Sequence, residues 1–432
     1  MKSNNWKFIK LNSLIESVSD TFQFKTKDKD IKSIYFLNTS DVLEGEVINH
    51  NKYNVKDLPG QAKKKFQKFD ILYSEIRPQN KRYAFVNFDS SDYVASTKLM
   101  VLRNKDENQI NTRYLYTLLT NEKFLNKMQA LAEGRSGTFP QITFNMLKEE
   151  EVYIPSSLDE QKKIVDILDS IELKINLNNK INEKLEETAK ALYHEWFVNF
   201  NFPNENGLPY KDNGGEFVDS ELGKIPVGWE VVELKSIFNF QKGKKPIEIV
   251  EYEDENYLPY ITLDAIRNNN VQYAKNEKVI TINELNNIMV MDGASSGEIY
   301  FGYKGVLGST FSVLNIYNES LITSSILYYM IKSIEQQIKD NTTGSAIPHT
   351  DKELVYKTLI AIPKNVDIIN DIDKILLKFR LQMINNSNQN IKLDNLKNLL
   401  LNKLMSGQID VDKLNIDWDK LDKTLKEVEN LV

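Results

Sequence analysis

The 432-residue sequence predicts a mixed α/β fold: two β-rich α/β domains joined by two long antiparallel coiled-coil helices, as an internal repeat with pseudo-twofold symmetry. Three observations carry this expectation. Two proline-centred segments recur at one fixed offset. Two stretches of about 40 residues hold a largely apolar stripe at helical spacing. The segments before them are short β-branched and aromatic runs divided by Asn, Asp and Gly, which is how half-buried strands and their turns read.

The repeat is anchored by prolines. Pro140 in GTFPQIT matches Pro348 in GSAIPHT, and Pro155 in VYIPSS matches Pro363 in IAIPKN, each at an offset of 208. From Ser157 the pattern turns helical, with Glu160 three places on completing an S-x-x-E capping box. The seam then runs through Ile164, Leu168, Ile171, Ile175, Asn178, Asn182, Leu185, Ala189, Leu192 and Trp196. Its second copy, 208 residues on, is Ile372, Leu376, Phe379, Met383, Asn386, Asn390, Leu393, Lys397, Leu400 and Leu404, and Gly407 follows as a stop signal. A single stripe would suit a helix buried in its own core. These stripes outrun the usual helix of about 12 residues. Both also carry two central asparagines, which cost stability and serve best to set register between partner helices. With the helices antiparallel and their centres level, Asn178 and Asn182 fall opposite Asn390 and Asn386.

The globular halves correspond more loosely. Trp6 in NNWKFIKLNSL matches Trp229 in VGWEVVELKSI, SIYFLNTSDVLEGEV (33–47) is similar to NYLPYITLDAIRNNNV (256–271), and DYVASTKLMVLR (92–103) to GVLGSTFSVLNI (305–316). Helices are expected over 111–131 and 322–338. The organisation is a first domain (1–155), first spacer helix (156–200), linker (201–226), second domain (227–363), second spacer helix (364–408) and tail (409–432). The Pro-, Gly- and Asn-rich linker reads as an exposed connection, and 417–432 as a short charged helix.

Composition narrows the chemistry. The chain has no cysteine, which excludes disulfides, thiolate zinc sites and cysteine nucleophiles and fits a reducing cytoplasm. No signal peptide or membrane-spanning run is legible, so a cytoplasmic protein with no membrane partner is expected. The net charge is −6, yet residues 1–150 hold 24 Lys+Arg against 18 Asp+Glu, a local excess of 6 positive charges. Charge distribution, not the sum, decides whether a surface suits nucleic acid.

No catalytic or metal-binding residue stands out. The glycines of GASSGEIYFGYKGVLGST (293–310) lack the order of a phosphate-cradling loop, and read as turns between strands. The LPY tripeptides at 208–210 and 258–260 lack the preceding Asn/Asp-Pro of amino-methyltransferases. His50 lies in a polar turn, and His194 has no ligand at metal spacing. His349, near Ser345, resembles a catalytic base, but at the repeat offset these positions are Gln141 and Gly137. An amide cannot replace a general base, so a structural or contact role remains. The DNA-binding candidates are Lys63, Lys64, Lys65, Arg77, Gln79, Asn80, Lys81, Arg82 and Lys98 in the first domain, and Lys242, Lys244, Lys245 and Lys304 in the second. Arg and Lys mixed with Asn and Gln suit phosphate anchoring and base-edge hydrogen bonding, against the plainer reading of a solvated lysine surface.

Four pieces in order, IPSSLDEQKKIVDILDSIELKI (154–175), DSELGKIPVGWEVVEL (219–234), GSAIPHTDKELVYKTLIAIP (344–363) and LLLNKLMSGQI (399–409), resemble the specificity (S) subunit of type I restriction-modification systems. The resemblance covers nearly the whole chain. It implies two target-recognition domains, each reading half of a bipartite asymmetric site in double-stranded DNA, with the helices as a ruler between them. It implies a non-enzymatic subunit that binds no cofactor of its own. Two methyltransferase (M) subunits using S-adenosylmethionine, and two restriction (R) subunits using ATP and Mg2+, would be its partners. One departure is KNVDIINDI in the second copy where the first has SSLDEQKKI. A stand-alone DNA-modifying enzyme and a coiled-coil scaffold without a DNA role are the competing readings.

Overall fold

The structure is a computed structural model that describes residues 5–134, 140–344 and 347–429. Ser345 and its counterpart Gly137 lie outside the described residues. The chain divides into two compact units, residues 1–175 with 392–432, and residues 176–391. The two long helices, Leu158–Tyr193 and Val366–Leu404, each contribute one part to either unit.

In the first unit, strand Trp6–Lys10 runs antiparallel to Glu151–Pro155, with Trp6 opposite Pro155. Four strands form one sheet in the order Asn51–Asn54, Ser33–Leu37, Tyr93–Ser96, Ala62–Lys64, and its central pair is parallel. A second, antiparallel sheet has the order Ile15–Ser17, Leu99–Asn104, Ile71–Ser74, Tyr83–Phe85. Ile71–Ser74 is buried at all four residues, so both of its faces are covered and its sequence does not alternate. Helices Thr112–Thr120 and Glu122–Glu133 follow, each begun by an asparagine whose side chain accepts a backbone N–H, Asn111 from Tyr114 and Asn121 from Phe124.

The second unit repeats this plan with one edge strand added, Ile249–Val250. Trp229–Glu233 pairs with Leu359–Pro363, with Trp229 opposite Pro363. A five-stranded sheet holds the parallel pair Tyr257–Ile261 and Gly305–Leu307. An antiparallel sheet has the order Phe238–Lys242, Phe311–Ile316, Ile288–Val290, Ile299–Tyr300. Gly305 sits at φ +152, and a Cβ there would lie 2.0 Å from the Pro259 carbonyl oxygen, so the parallel strands approach this closely only at glycine.

All the seam positions on both helices are buried or half-buried. In the second unit, Asn178 Nδ2 donates to Asn390 Oδ1 and Asn386 Nδ2 to Asn182 Oδ1, both at 2.8 Å. These are the two pairs that level antiparallel helices place opposite each other. In the first unit, Lys397 meets Glu172 at 3.2 Å, again antiparallel, beside Ile164, Leu168, Ile171 and Leu404 in the core. Gly407, at φ +69, ends the second helix with its ring-facing side against Trp6.

Residues 201–226 are mostly exposed, as expected of the connection, but they are ordered. They hold a hairpin, Phe217–Ser220 with Gly223–Pro226, and Phe202 stacks on both Trp229 and Tyr210. Aromatic side chains, which composition by Pro, Gly and Asn obscured, supply the surface that this segment buries. The tail is likewise folded. Val411 is fully buried in the first unit, and helix Trp418–Glu429 lies near the start of the first long helix. There Lys163 bonds Asp412 and covers the Trp418 ring, and Lys162 bonds Asp422.

Candidate nucleic-acid interface

The basic residues of the first domain separate into those spent within the fold and those presented outward. Lys64 Nζ donates to the Leu99 carbonyl at 2.7 Å, and burial holds its ammonium below the usual lysine range. Lys65 pairs with Asp28 at 2.9 Å, and Lys81 with Glu44 at 2.8 Å. Arg82 Nη1 donates to the carbonyls of Ser40 and Val42. Gln79 is tied to Gln129 through its backbone and to Asn126 through its amide. Lys63, Arg77, Asn80 and Lys98 are exposed. Arg77 and Lys81 flank the short 3-10 turn Pro78–Asn80, both with left-handed backbones (φ 43 and 53), and the Arg77 N–H donates to the Pro140 carbonyl. That turn therefore projects Arg77 and Asn80 from a backbone fixed at both ends, while Gln79 between them is tied back to Asn126 and Gln129.

In the second domain Lys244, Lys245 and Lys304 are exposed. Gly243 holds the lysine loop close, since a Cβ there would lie 2.2 Å from the Gly308 carbonyl oxygen. Lys242 pairs with Asp292 at 2.9 Å, and the other Asp292 oxygen meets His349 Nδ1 at 2.8 Å. Burial alone would raise the Asp292 pKa, but the Lys242 and His349 hydrogen bonds outweigh it and hold the carboxyl below its ordinary value. A backbone bridge joins Asp292 to His349, and the corresponding bridge in the first domain joins Ile76 to Gln141. Nearby, Glu298 gathers Arg267, Tyr300 and Lys339.

Residue-pattern reasoning missed the groups that fasten each domain to its helix. In the first unit Arg113 reaches from the domain to Asp169 with Nε and Nη2, at 2.9 to 3.1 Å, while its guanidinium covers Phe85 and Tyr116. Burial works against that charge, but Asp169 outweighs it and keeps the pKa above the ordinary arginine value. The second unit inverts the arrangement. Arg380, on the helix and fully buried, donates to Asn287 Oδ1 (2.9 Å), Leu285 O (3.1 Å) and Ser324 Oγ (3.3 Å), with its guanidinium over Phe301. One signal was available, because Arg380 stands 208 residues after Glu172 and reverses its charge.

The departure between SSLDEQKKI and KNVDIINDI also has a structural consequence. Glu160 accepts from Trp6 Nε1 at 2.8 Å, and fully buried Gln161 bonds Asn111 N, Gln109 O and Pro155 O. At the repeat offset these positions are Ile368 and Ile369. Trp229 Nε1, the counterpart of the Trp6 donor, is buried without a hydrogen-bond partner among the described residues. No described helix is long and apolar enough to cross a membrane.

A duplicated sheet domain with an arginine-fastened, asparagine-registered helix pair thus defines the fold, and comparison with known proteins places it. The family model described as the type I restriction modification DNA specificity domain matches residues 3–187 and 226–394, and the chain belongs to this family. It is 28% identical to the type I restriction enzyme HindI specificity subunit of Haemophilus influenzae, over 94% of this chain and 100% of that one. Identity to the MjaIX specificity subunit of Methanocaldococcus jannaschii is 25%, over 70% of each chain. Among solved structures, the S subunit of the type I restriction-modification system from M. genitalium shares the fold, with a TM-score of 0.57 at 16% identity, covering 93% of this chain and 97% of that one.

Proposed function

We propose that this chain is the sequence-specificity subunit of a type I restriction-modification complex in the cytoplasm. Its two domains read the halves of a bipartite asymmetric site in double-stranded DNA, and the long helices set the spacing between them. The observation that carries this is the duplication itself. Strand order repeats while the outward side chains differ, with Arg77 and Asn80 in one copy and Lys242, Asp292 and His349 in the other. One frame with two different reading surfaces suits a split, asymmetric target. Loose lysines bind phosphate and make affinity salt-dependent, while the fixed polar side chains meet base edges.

The chain itself is non-catalytic on this reading. Two methyltransferase subunits supply S-adenosylmethionine-dependent transfer, and two restriction subunits supply ATP- and Mg2+-dependent cleavage. Methylation motifs mapped in cells with and without this chain test the proposal, the expected result being loss of one split adenine motif. Methyl transfer from labelled S-adenosylmethionine by the purified chain alone would refute the non-catalytic reading. Failure to bind split-site DNA with the methyltransferase present would favour a scaffold. Inserting one heptad into each long helix should lengthen the unread spacer by up to about three base pairs, from roughly 1.5 Å per residue against 3.4 Å per base pair. An altered half-site with an unchanged spacer would overturn the ruler.

A further inference from the structure

We propose that His349 is a base-reading contact of the second domain, held by Asp292 so that its Nε2 is the atom offered to one base edge in the DNA. This rests on the specificity reading above. The ring is placed by two independent constraints. Its backbone is locked, because His349 and Thr343 exchange both N–H···O=C bonds at 2.7 and 2.9 Å, the neighbouring Pro348 carbonyl accepts from Gly293 N and Ser296 Oγ, and Thr350 donates to Met291 O and Val290 O. Its side chain is locked because Nδ1 meets the Asp292 carboxylate at 2.8 Å, and that carboxylate is itself held by Lys242 at 2.9 Å. The imidazole is nonetheless half-exposed, at 49%. With Nδ1–H donating a hydrogen bond to the carboxylate, Nε2 points away as the remaining polar atom, an acceptor in the neutral ring and a donor in the charged one. No described residue hydrogen-bonds it.

A solvated surface histidine needs none of this scaffolding. A polar atom that must meet one base edge needs all of it, since recognition fails when the donor or acceptor wanders by an ångström. The surrounding residues fit the same purpose. Lys244 and Lys245 follow Lys242 as exposed cations suited to phosphate, which leaves the fixed imidazole for the base. The first domain places Gln141 on the equivalent backbone bridge, with Ile76 where the second has Asp292. Glutamine also reads base edges, but with different donor and acceptor geometry, so this one position would read differently in the two halves.

The test uses the chain assembled with its methyltransferase partner, and competition binding to a library of split-site duplexes randomised one position at a time. His349→Ala should relax discrimination about tenfold at a single base pair of a single half-site, with the other half-site unchanged. Asp292→Ala should reproduce that relaxation, whereas Asp292→Asn, which still accepts from Nδ1, should retain most of the discrimination. A merely structural role would instead weaken every position together and lower the thermal midpoint. Uniform weakening of all sequences, with the salt dependence reduced by about one counterion, would make His349 a phosphate contact and overturn the base assignment. Unchanged preference in His349→Ala would overturn it outright. If the unmodified complex reads no split site, the specificity reading falls; if it does and the variants read the same one, only the His349 assignment falls.

Discussion

Arg380 offers the sharpest test of how a reading domain is fastened to its helix. The side chain is fully buried, and no carboxylate lies within 4 Å of it among the described residues. Burial consequently pushes its pKa down to about 10, with Tyr329, Tyr328, Asp373 and Glu186 pulling the other way. Two effects oppose each other. The guanidinium satisfies Asn287 Oδ1, on a residue only 1% exposed, and covers the Phe301 ring at 4.4 Å, while its stem fills space in the core. Orphaning a buried acceptor costs about 1–3 kcal/mol, a desolvated cation–π contact contributes about 2, and three buried methylenes about 2. Against this stands the desolvation of a cation with no direct counter-charge, which is several kcal/mol. Arg380→Ala should therefore lose about 3 kcal/mol, whereas Arg380→Met, which refills the space and carries no charge, should lose about 1. Urea denaturation of the intact chain, followed by tryptophan fluorescence, measures both. A methionine variant that loses about 3 kcal/mol or more would mean that the hydrogen bonds and the cation–π contact outweigh the desolvation. Equal losses in the two variants would mean that the stem's packing contributes nothing; either result refutes the reasoning.

Other consequences follow from the same contacts. The Glu160 pKa is raised, chiefly by burial, with the Trp6 bond pulling the other way. Its contribution to stability is thus full below about pH 4.5 and is lost as pH rises through the folded-state value. Glu160→Gln keeps an acceptor for Trp6, so the wild-type-minus-variant stability should fall between pH 4 and 7; a flat difference would contradict the shift. Asn386→Leu should cost about 1–2 kcal/mol by stranding Asn182, while adding Asn182→Leu should recover most of it, leaving a coupling near 1 kcal/mol in a double-mutant cycle. Additive losses would mean that the two amides do not act as a pair. Lys244→Ala with Lys245→Ala should reduce the slope of log affinity against log salt by about two without changing the preferred sequence. A changed sequence would make these lysines base readers instead.

What the sequence determined by itself was the periodic part. The heptad seam, the offset of 208 and the asparagine pairs Asn178–Asn390 and Asn182–Asn386 were legible because coiled-coil packing is written in spacing along the chain. The sheet domains were legible as class, through Trp6 and Trp229 and the short strand runs, but not as topology. Tertiary structure alone decided which basic residues are available. Lys63 and Lys64 are neighbours in sequence, yet one is exposed and the other donates to a buried strand carbonyl, because alternate strand positions face opposite sides. It alone brought Asp292 to His349, Asn287 to Arg380 and Asp169 to Arg113, across 50 to 100 residues of chain with no shared period. It also folded the linker and the tail, whose turn-forming and charged residues dominate the composition while a few aromatics, Phe202 and Trp418 among them, find partners. Local spacing encodes helix register; contacts between segments distant in the chain encode the placement of the reading surface.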